Sequence, residues 1–155
     1  MDFCFLADRV DAIPTVASWY FTEWGYAVEG NTVAATCDRL RGRLNRDRLP
    51  LHLLAVDATN VLGVAQLKIR EMAIYPDREY WLGGVYISSE SRGQGVGSAL
   101  VTRITDMARS LGIQHLSLQT KRLDGGLYAR LGWQPVEQVN YHDKEVLVME
   151  RTLRD

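Results

Sequence analysis

A chain of 155 residues with 46% hydrophobic and 24% charged residues has an ordinary globular composition, and its length fits one domain, 1–155. Its 18 basic and 19 acidic residues nearly cancel, which removes the global electrostatic case for nucleic acid; no run approaches the ~18 apolar residues of a membrane span. Two cysteines, Cys4 and Cys37, are too few for a disulfide framework or a zinc site; both read as buried free thiols, and no metal is expected. The first residues hold no basic n-region or long apolar h-region, so the expected compartment is the cytoplasm.

Phe3 to Leu6 reads as a short strand. Between Asp11 and Gly25, Ile13, Val16, Ala17, Tyr20 and Trp24 form a helical apolar stripe, with Pro14 in its first turn and Trp24 expected in the core. A second helix is predicted over Thr32 to Leu44, with Val33, Cys37, Leu40 and Leu44 on one face. The arginines from Arg39 through Arg41, Arg43 and Arg46 to Arg48 read as a solvated helix face and loop; an acidic substrate or partner is the alternative. Leu51 to Asp57 and Val61 to Ile69 predict two strands joined by a tight Ala58-Thr59-Asn60 connection, followed by a polar loop from Arg70 to Glu79. In the strand Tyr80 to Ile87, the pair Gly83-Gly84 points to a bulge or to close backbone approach by a ligand.

Next comes Arg92-Gly93-Gln94-Gly95-Val96-Gly97-Ser98, the most informative stretch of the chain. Glycines at alternate positions strip side chains from a strand-to-helix turn, so backbone N–H groups can converge on an anion at the positive end of a helix dipole. Arg92 adds a permanent charge suited to phosphate oxygens. The following amphipathic run, Ser98 to Leu111, buries Leu100, Ile104, Met107, Ala108 and Leu111 and stops at Gly112. His115 to Thr120 is the next strand, paired in parallel with the one before the helix. Asp124 caps a short helix holding Leu127, Tyr128 and Leu131, and Trp133 to Asn140 and Glu145 to Leu153 form a closing hairpin.

Two familiar phosphate loops fail here. The Walker-type loop needs Gly-Lys-Ser/Thr at its end, which is missing. The dinucleotide fingerprint fails because Ser98 occupies the third glycine position, five polar residues separate Ile87 from Gly93, and no acid ends the His115–Thr120 strand. By contrast, Arg92-x-x-Gly95-x-Gly97 after a strand and before Ser98-Ala99-Leu100 resembles the acetyl-CoA motif of the GNAT N-acetyltransferase superfamily. The segment Leu127-Tyr128-Ala129-Arg130-Leu131-Gly132-Trp133 resembles that family's second signature, a tyrosine four residues before a glycine-aromatic pair. The order of elements agrees over nearly the whole chain. Phe21-Thr22-Glu23-Trp24-Gly25 is similar to a segment of a small bacterial branch, itself distantly similar to the eukaryotic actin N-terminal acetyltransferase. Many members carry an asparagine about seven residues before the tyrosine; this chain has Lys121 there.

The resemblance implies a mixed α/β GNAT fold. Its twisted, mostly antiparallel sheet of six to seven strands has a central parallel pair splayed at the acetyl-CoA site, with about four helices around it. It also implies transfer of an acetyl group from acetyl-CoA to a primary amine of a small molecule or peptide; the alternative is a silent acyl-CoA-binding module. Cofactor contacts would come from Val85, Tyr86, Ile87, Arg92, Gly93, Gln94, Gly95, Val96, Gly97, Ser98 and Tyr128. The Val85 amide would stabilise the developing oxyanion, and loss of such a donor typically costs about 2.7–4 kcal/mol. Tyr128, a phenol with pKa about 10, would protonate the leaving thiolate. Glu79 is the nominated base, with Glu71, Glu23 and His142 as alternatives; Trp19, Glu23 and Trp24 would line the acceptor pocket. A homodimer is expected from the edges of the terminal hairpin.

Overall fold

The computed structural model describes residues 1–153; residues 154 and 155, the end of the expected 1–155 domain, lie outside the described residues. Seven strands form one sheet: β1 (Asp2–Phe5), β2 (Leu51–Asp57), β3 (Asn60–Ile69), β4 (Tyr80–Ile87), β5 (His115–Thr120), β6 (Gln134–Tyr141) and β7 (Lys144–Thr152). Their order is β1-β2-β3-β4-β5-β7-β6, antiparallel except between β4 and β5. Four α-helices complete the fold: α1 (Ile13–Glu23), α2 (Val33–Arg41), α3 (Val96–Ser110) and α4 (Gly126–Arg130). Among the described residues, no helix is long and apolar enough to cross a membrane.

The helices cover both faces of the sheet, which is why β2 is buried along nearly its whole length instead of alternating. Leu51, Leu53, Ala55, Ala65 and Leu67 join Leu100 and Ile104 of α3 in the larger core. Leu54, Val56 and Val64 meet Ile13, Val16 and Ala17 of α1, with Cys37 and Leu40 of α2, on the opposite face. A third cluster, Met72, Trp81, Val146 and Val148, lies where the 70–79 loop folds back over the sheet. The Trp81 indole N–H donates to the Arg78 carbonyl at 2.7 Å and Arg78 pairs with Glu150 at 3.0 Å, tying that loop down.

Local chemistry sets the element ends. Thr32 caps α2 by accepting the Ala35 N–H at 3.0 Å, and α2 stops at Arg41, so Leu44 packs onto the core from a loop rather than from the predicted helix. α3 starts at Val96, inside the glycine segment, because Val96 is itself a core residue. Its buried face includes Val101 and Thr105, while Met107 and Leu111 are only half-buried. The closing hairpin turns on two residues, His142 and Asp143, both left-handed (φ 52° and 63°), as a tight hairpin turn requires. Asp124 accepts the Gly126 N–H at 3.0 Å, but Gly125, at φ 82°, is the residue that enters α4. Cys37 is buried as expected; Cys4 is only half-buried.

Two irregularities open the sheet. β4 and β5 pair only at Trp81 and Ser117, so beyond that point the two strands separate. On its other side β4 bulges: Val64 faces Tyr86 and Gln66 faces Gly83, leaving Gly84 and Val85 together opposite Ala65. Gly84 adopts φ 53° and its carbonyl accepts the Tyr20 hydroxyl at 2.7 Å; a Cβ there would lie 2.6 Å from that oxygen. The glycine pair is thus explained by a bulge that a helix side chain locks in place.

Candidate active site

At the start of α3, Gly93 and Gly95 have φ of 78° and 80° with nothing within 4 Å of a Cβ position, so the turn presents backbone to open space. Gly95 supplies no side-chain cap, and the first helical hydrogen bond runs from Ala99 N–H to the Gly95 carbonyl at 3.1 Å. The amides of Val96, Gly97 and Ser98 therefore keep the positive helix end available to an anion. The Val96 side chain is core, so only its amide faces this site. Gln94 donates to the Glu90 carbonyl at 3.1 Å, which braces the turn.

Arg92 does two things at once. Its Nε donates to the Ile87 carbonyl at 3.1 Å, and its guanidinium lies 5.3 Å from the Tyr86 ring centroid. Tyr86 in turn stacks on Trp19 at 5.2 Å. Trp19 is therefore a half-buried prop beneath Tyr86 and takes no part in the cavity wall where it was expected. Ser88 N–H bonds to the Leu62 carbonyl at 2.8 Å, so by strand alternation the polar groups of Ile87 turn away from β3, toward the gap beside β5.

That gap opens into a cavity of about 860 Å³ on the sheet face that carries α1 and α2. One wall comes from Tyr20, Glu23, Trp24, Arg39 and Arg43; the opposite wall holds Lys121, Tyr128, His142 and Lys144. The floor holds His52, Gln66, Lys68, Glu71 and Val85. Trp24, for which helical spacing predicts the core and the family resemblance the acceptor pocket, is 36% exposed and faces this cavity: α1 ends at Glu23, which frees it from the buried stripe. Glu79 is exposed and lies outside the wall, whereas Glu71 sits inside. Arg41 and Arg46 are tied to Asp38 and Asp8 as a solvated surface would have it, and Arg39 and Arg43, also exposed, border the cavity.

Tyr128 stands on α4 with its ring edge-on to buried Trp133, 6.2 Å between centroids, and its carbonyl accepts the Trp133 N–H at 3.0 Å. Burial first, then the Glu71 charge, pushes its phenol pKa up to about 12. It is therefore protonated throughout the neutral range and able to donate. Glu71 forms an ion pair with Lys68, its side chain only 15% exposed, and its Oε2 has no protein partner. Gly83 lets this pair lie against β4, since a Cβ would meet Lys68 Cε at 2.3 Å and Glu71 Oε1 at 3.1 Å.

The sequence reading passed over His52, Gln66, Lys68 and Tyr20 as site residues. A histidine inside the apolar run Leu51 to Val56 was the available signal. Gln66 and Lys68 alternate with Leu67 and Ile69 and imitate an ordinary solvent-facing strand. His52 is 1% exposed, and neither ring nitrogen has a partner among the described residues. Burial, then the Arg43 and Lys68 charges, push its pKa down to about 3, so the ring is neutral.

The chain matches the acetyltransferase (GNAT) family over residues 13–133. No curated protein matches it at the sequence level. Among solved structures it is similar to an aminoglycoside 6'-N-acetyltransferase complexed with coenzyme A, at 15% identity and TM-score 0.76, covering 100% of this chain and 98% of that one. It is similar to ribosomal-protein-alanine N-acetyltransferase from Brucella melitensis, at 19% identity and TM-score 0.75, over 98% and 99% of the two chains. A third likeness is to yncA from Salmonella typhimurium, solved with its cofactor acetyl-CoA, at 19% identity and TM-score 0.73, over 100% and 95%. At these identities the likeness is one of fold.

Proposed function

Because the chain belongs to the acetyltransferase (GNAT) family, whose acyl donor is acetyl-CoA, we propose that it transfers an acetyl group directly to the nitrogen of a primary amine of a small molecule or peptide. One observation carries this reading: Tyr128, Glu71 and Val85 line a single cavity beside the point where β4 and β5 separate. The residues fit the donor. Val96 to Ser98 offer uncapped amides to phosphate oxygens, the glycine turn leaves room for them, and β4 offers an unpaired strand edge to amide groups.

Acetyl-CoA would supply a thioester carbonyl to the amine and a thiolate leaving group. Arg92 and the Val96–Ser98 amides would hold the phosphates, and Ile87 would align the arm that leads into the cavity. The Val85 N–H would stabilise charge gathering on the carbonyl oxygen as the C–N bond forms and the C–S bond breaks. Tyr128 would give its proton to the departing sulfur. Glu71, inside the cavity where Glu79 is not, would take the proton lost by the attacking nitrogen. We place all of this in one domain of residues 1–155, in the cytoplasm, with the exposed β6 edge as the surface for a homodimer.

The test is release of free CoA from acetyl-CoA by the purified chain across a panel of amines. Amine-dependent release well above the amine-free rate is expected. Tight CoA binding with no release across the panel would favour a silent acyl-CoA-binding module.

A further inference from the structure

Six lysines and arginines line the cavity against two carboxylates, Glu23 and Glu71, in a chain whose formal net charge is −1. Lys68 is neutralised by Glu71, and Arg122 by Asp124 at 3.0 Å. Among the described residues, no carboxylate pairs with Arg39, Arg43, Lys121 or Lys144. Arg39 instead donates to Asn31 Oδ1 at 2.9 Å and Thr36 Oγ1 at 3.1 Å, contacts that fix its direction and leave its charge uncompensated. Arg39, in the last turn of α2, and Arg43, two residues past its end, border the same wall, while Arg41 between them pairs with Asp38. These charges lie apart from the glycine turn, none of whose residues lines this cavity, so the donor's phosphates do not account for them.

His52 adds an independent sign. It is almost completely buried on the floor, faces Gln66 across β2 and β3, and has two ring nitrogens without a partner among the described residues. A buried polar side chain left without partners is costly unless a bound group meets it. A neutral imidazole offers one N–H donor, which suits an oxygen anion held beside Arg43 on the same cavity. A carboxylate entering this corner would find the cations that offset its desolvation; a further ammonium or a polycation would meet repulsion.

We propose that the acceptor is a primary amine that also carries a carboxylate, held by Arg39, Arg43 and His52 on the α2 side while its amine faces Glu71 and Tyr128. The proposal rests on the acetyl-transfer reading above. The carboxylate can belong to a free amino acid or to an acidic residue near a peptide N-terminus.

The experiment compares kcat/KM for CoA release with free α-amino acids against their C-terminal amides. A second arm uses tetrapeptides opening on two acidic residues against the same peptides opening on two lysines, and a third uses spermidine and an aminoglycoside. The carboxylate-bearing members are expected to win by about tenfold or more through KM, the size of one charge-assisted hydrogen bond. The arm that responds identifies the source of the carboxylate. Arg43→Gln should erase the preference and Arg43→Glu should reverse it; if either variant does not fold, the wild-type ranking alone decides. Equal or better turnover of amides, lysine peptides or polycations would overturn the proposal while leaving acetyl transfer intact. Absence of amine-dependent release in all three arms, with CoA still bound, would overturn acetyl transfer and this proposal with it.

Discussion

At the glycine turn the groups left open to a ligand are backbone amides from consecutive residues, Val96 to Ser98, set by the left-handed glycines Gly93 and Gly95. In the cavity they are side chains from α1, α2, β2, β3, the 70–79 loop, α4 and the closing hairpin. The turn needs only a fixed backbone shape, so it can serve a phosphate whatever surrounds it. The cavity depends on how remote elements meet, so its shape and charge are set by contacts across the whole fold. The proposed donor site and the proposed reaction cavity are thus two kinds of construction within one fold.

The separation can be broken in several places. Glu71→Gln should have the largest effect, lowering kcat by about a hundredfold, the lower end for loss of a general base. The fall should be smallest at high pH, where more of the amine is already neutral, and acetyl-CoA affinity should stay; stopped-flow or steady-state rates across pH read both. A moderate effect is expected on acid stability. His52 is held neutral to a pKa of about 3 when folded, against about 6.5 in an unfolded chain. Between those values only the unfolded chain takes up the proton, so stability is lost as pH falls from about 6.5, by at most about 1.4 kcal/mol per pH unit. Urea melts at pH 7 and pH 5 should show that loss, and His52→Gln should remove it. The smallest effect belongs to Glu79→Gln, which sits outside the cavity and should change kcat by less than about twofold. A large loss there would return the base role to Glu79.

Much of the fold was legible because periodicity and punctuation agree: Thr32, Gly112 and the Gly83-Gly84 pair each mark an end or a bulge that the structure contains, whereas α2 ends at Arg41, short of the predicted Leu44. The family could be read from contiguous motifs around Gly95 and Tyr128. The cavity was less legible. Glu79 and Glu71 look alike in sequence, and only the fold of the 70–79 loop turns one outward and the other in. Trp24 leaves the core that its helical spacing predicts because α1 stops one residue before it, and Trp19 packs under Tyr86 instead of lining the cavity. Alternation places Gln66 and Lys68 on one face of β3 but is silent on whether water or a cavity covers that face.

Calorimetric titration of CoA into the wild-type chain, Gly95→Val and Tyr128→Phe, with kcat measured alongside, tests the division between donor turn and reacting cavity most directly. Gly95 at φ 80° tolerates a β-branched side chain poorly. Gly95→Val should weaken CoA by about tenfold or more, matching a strain of about 1–2 kcal/mol. Tyr128→Phe should bind CoA as the wild type does yet turn over at least about tenfold more slowly. Full CoA affinity in Gly95→Val, or unchanged turnover in Tyr128→Phe at saturating acceptor, would contradict that division.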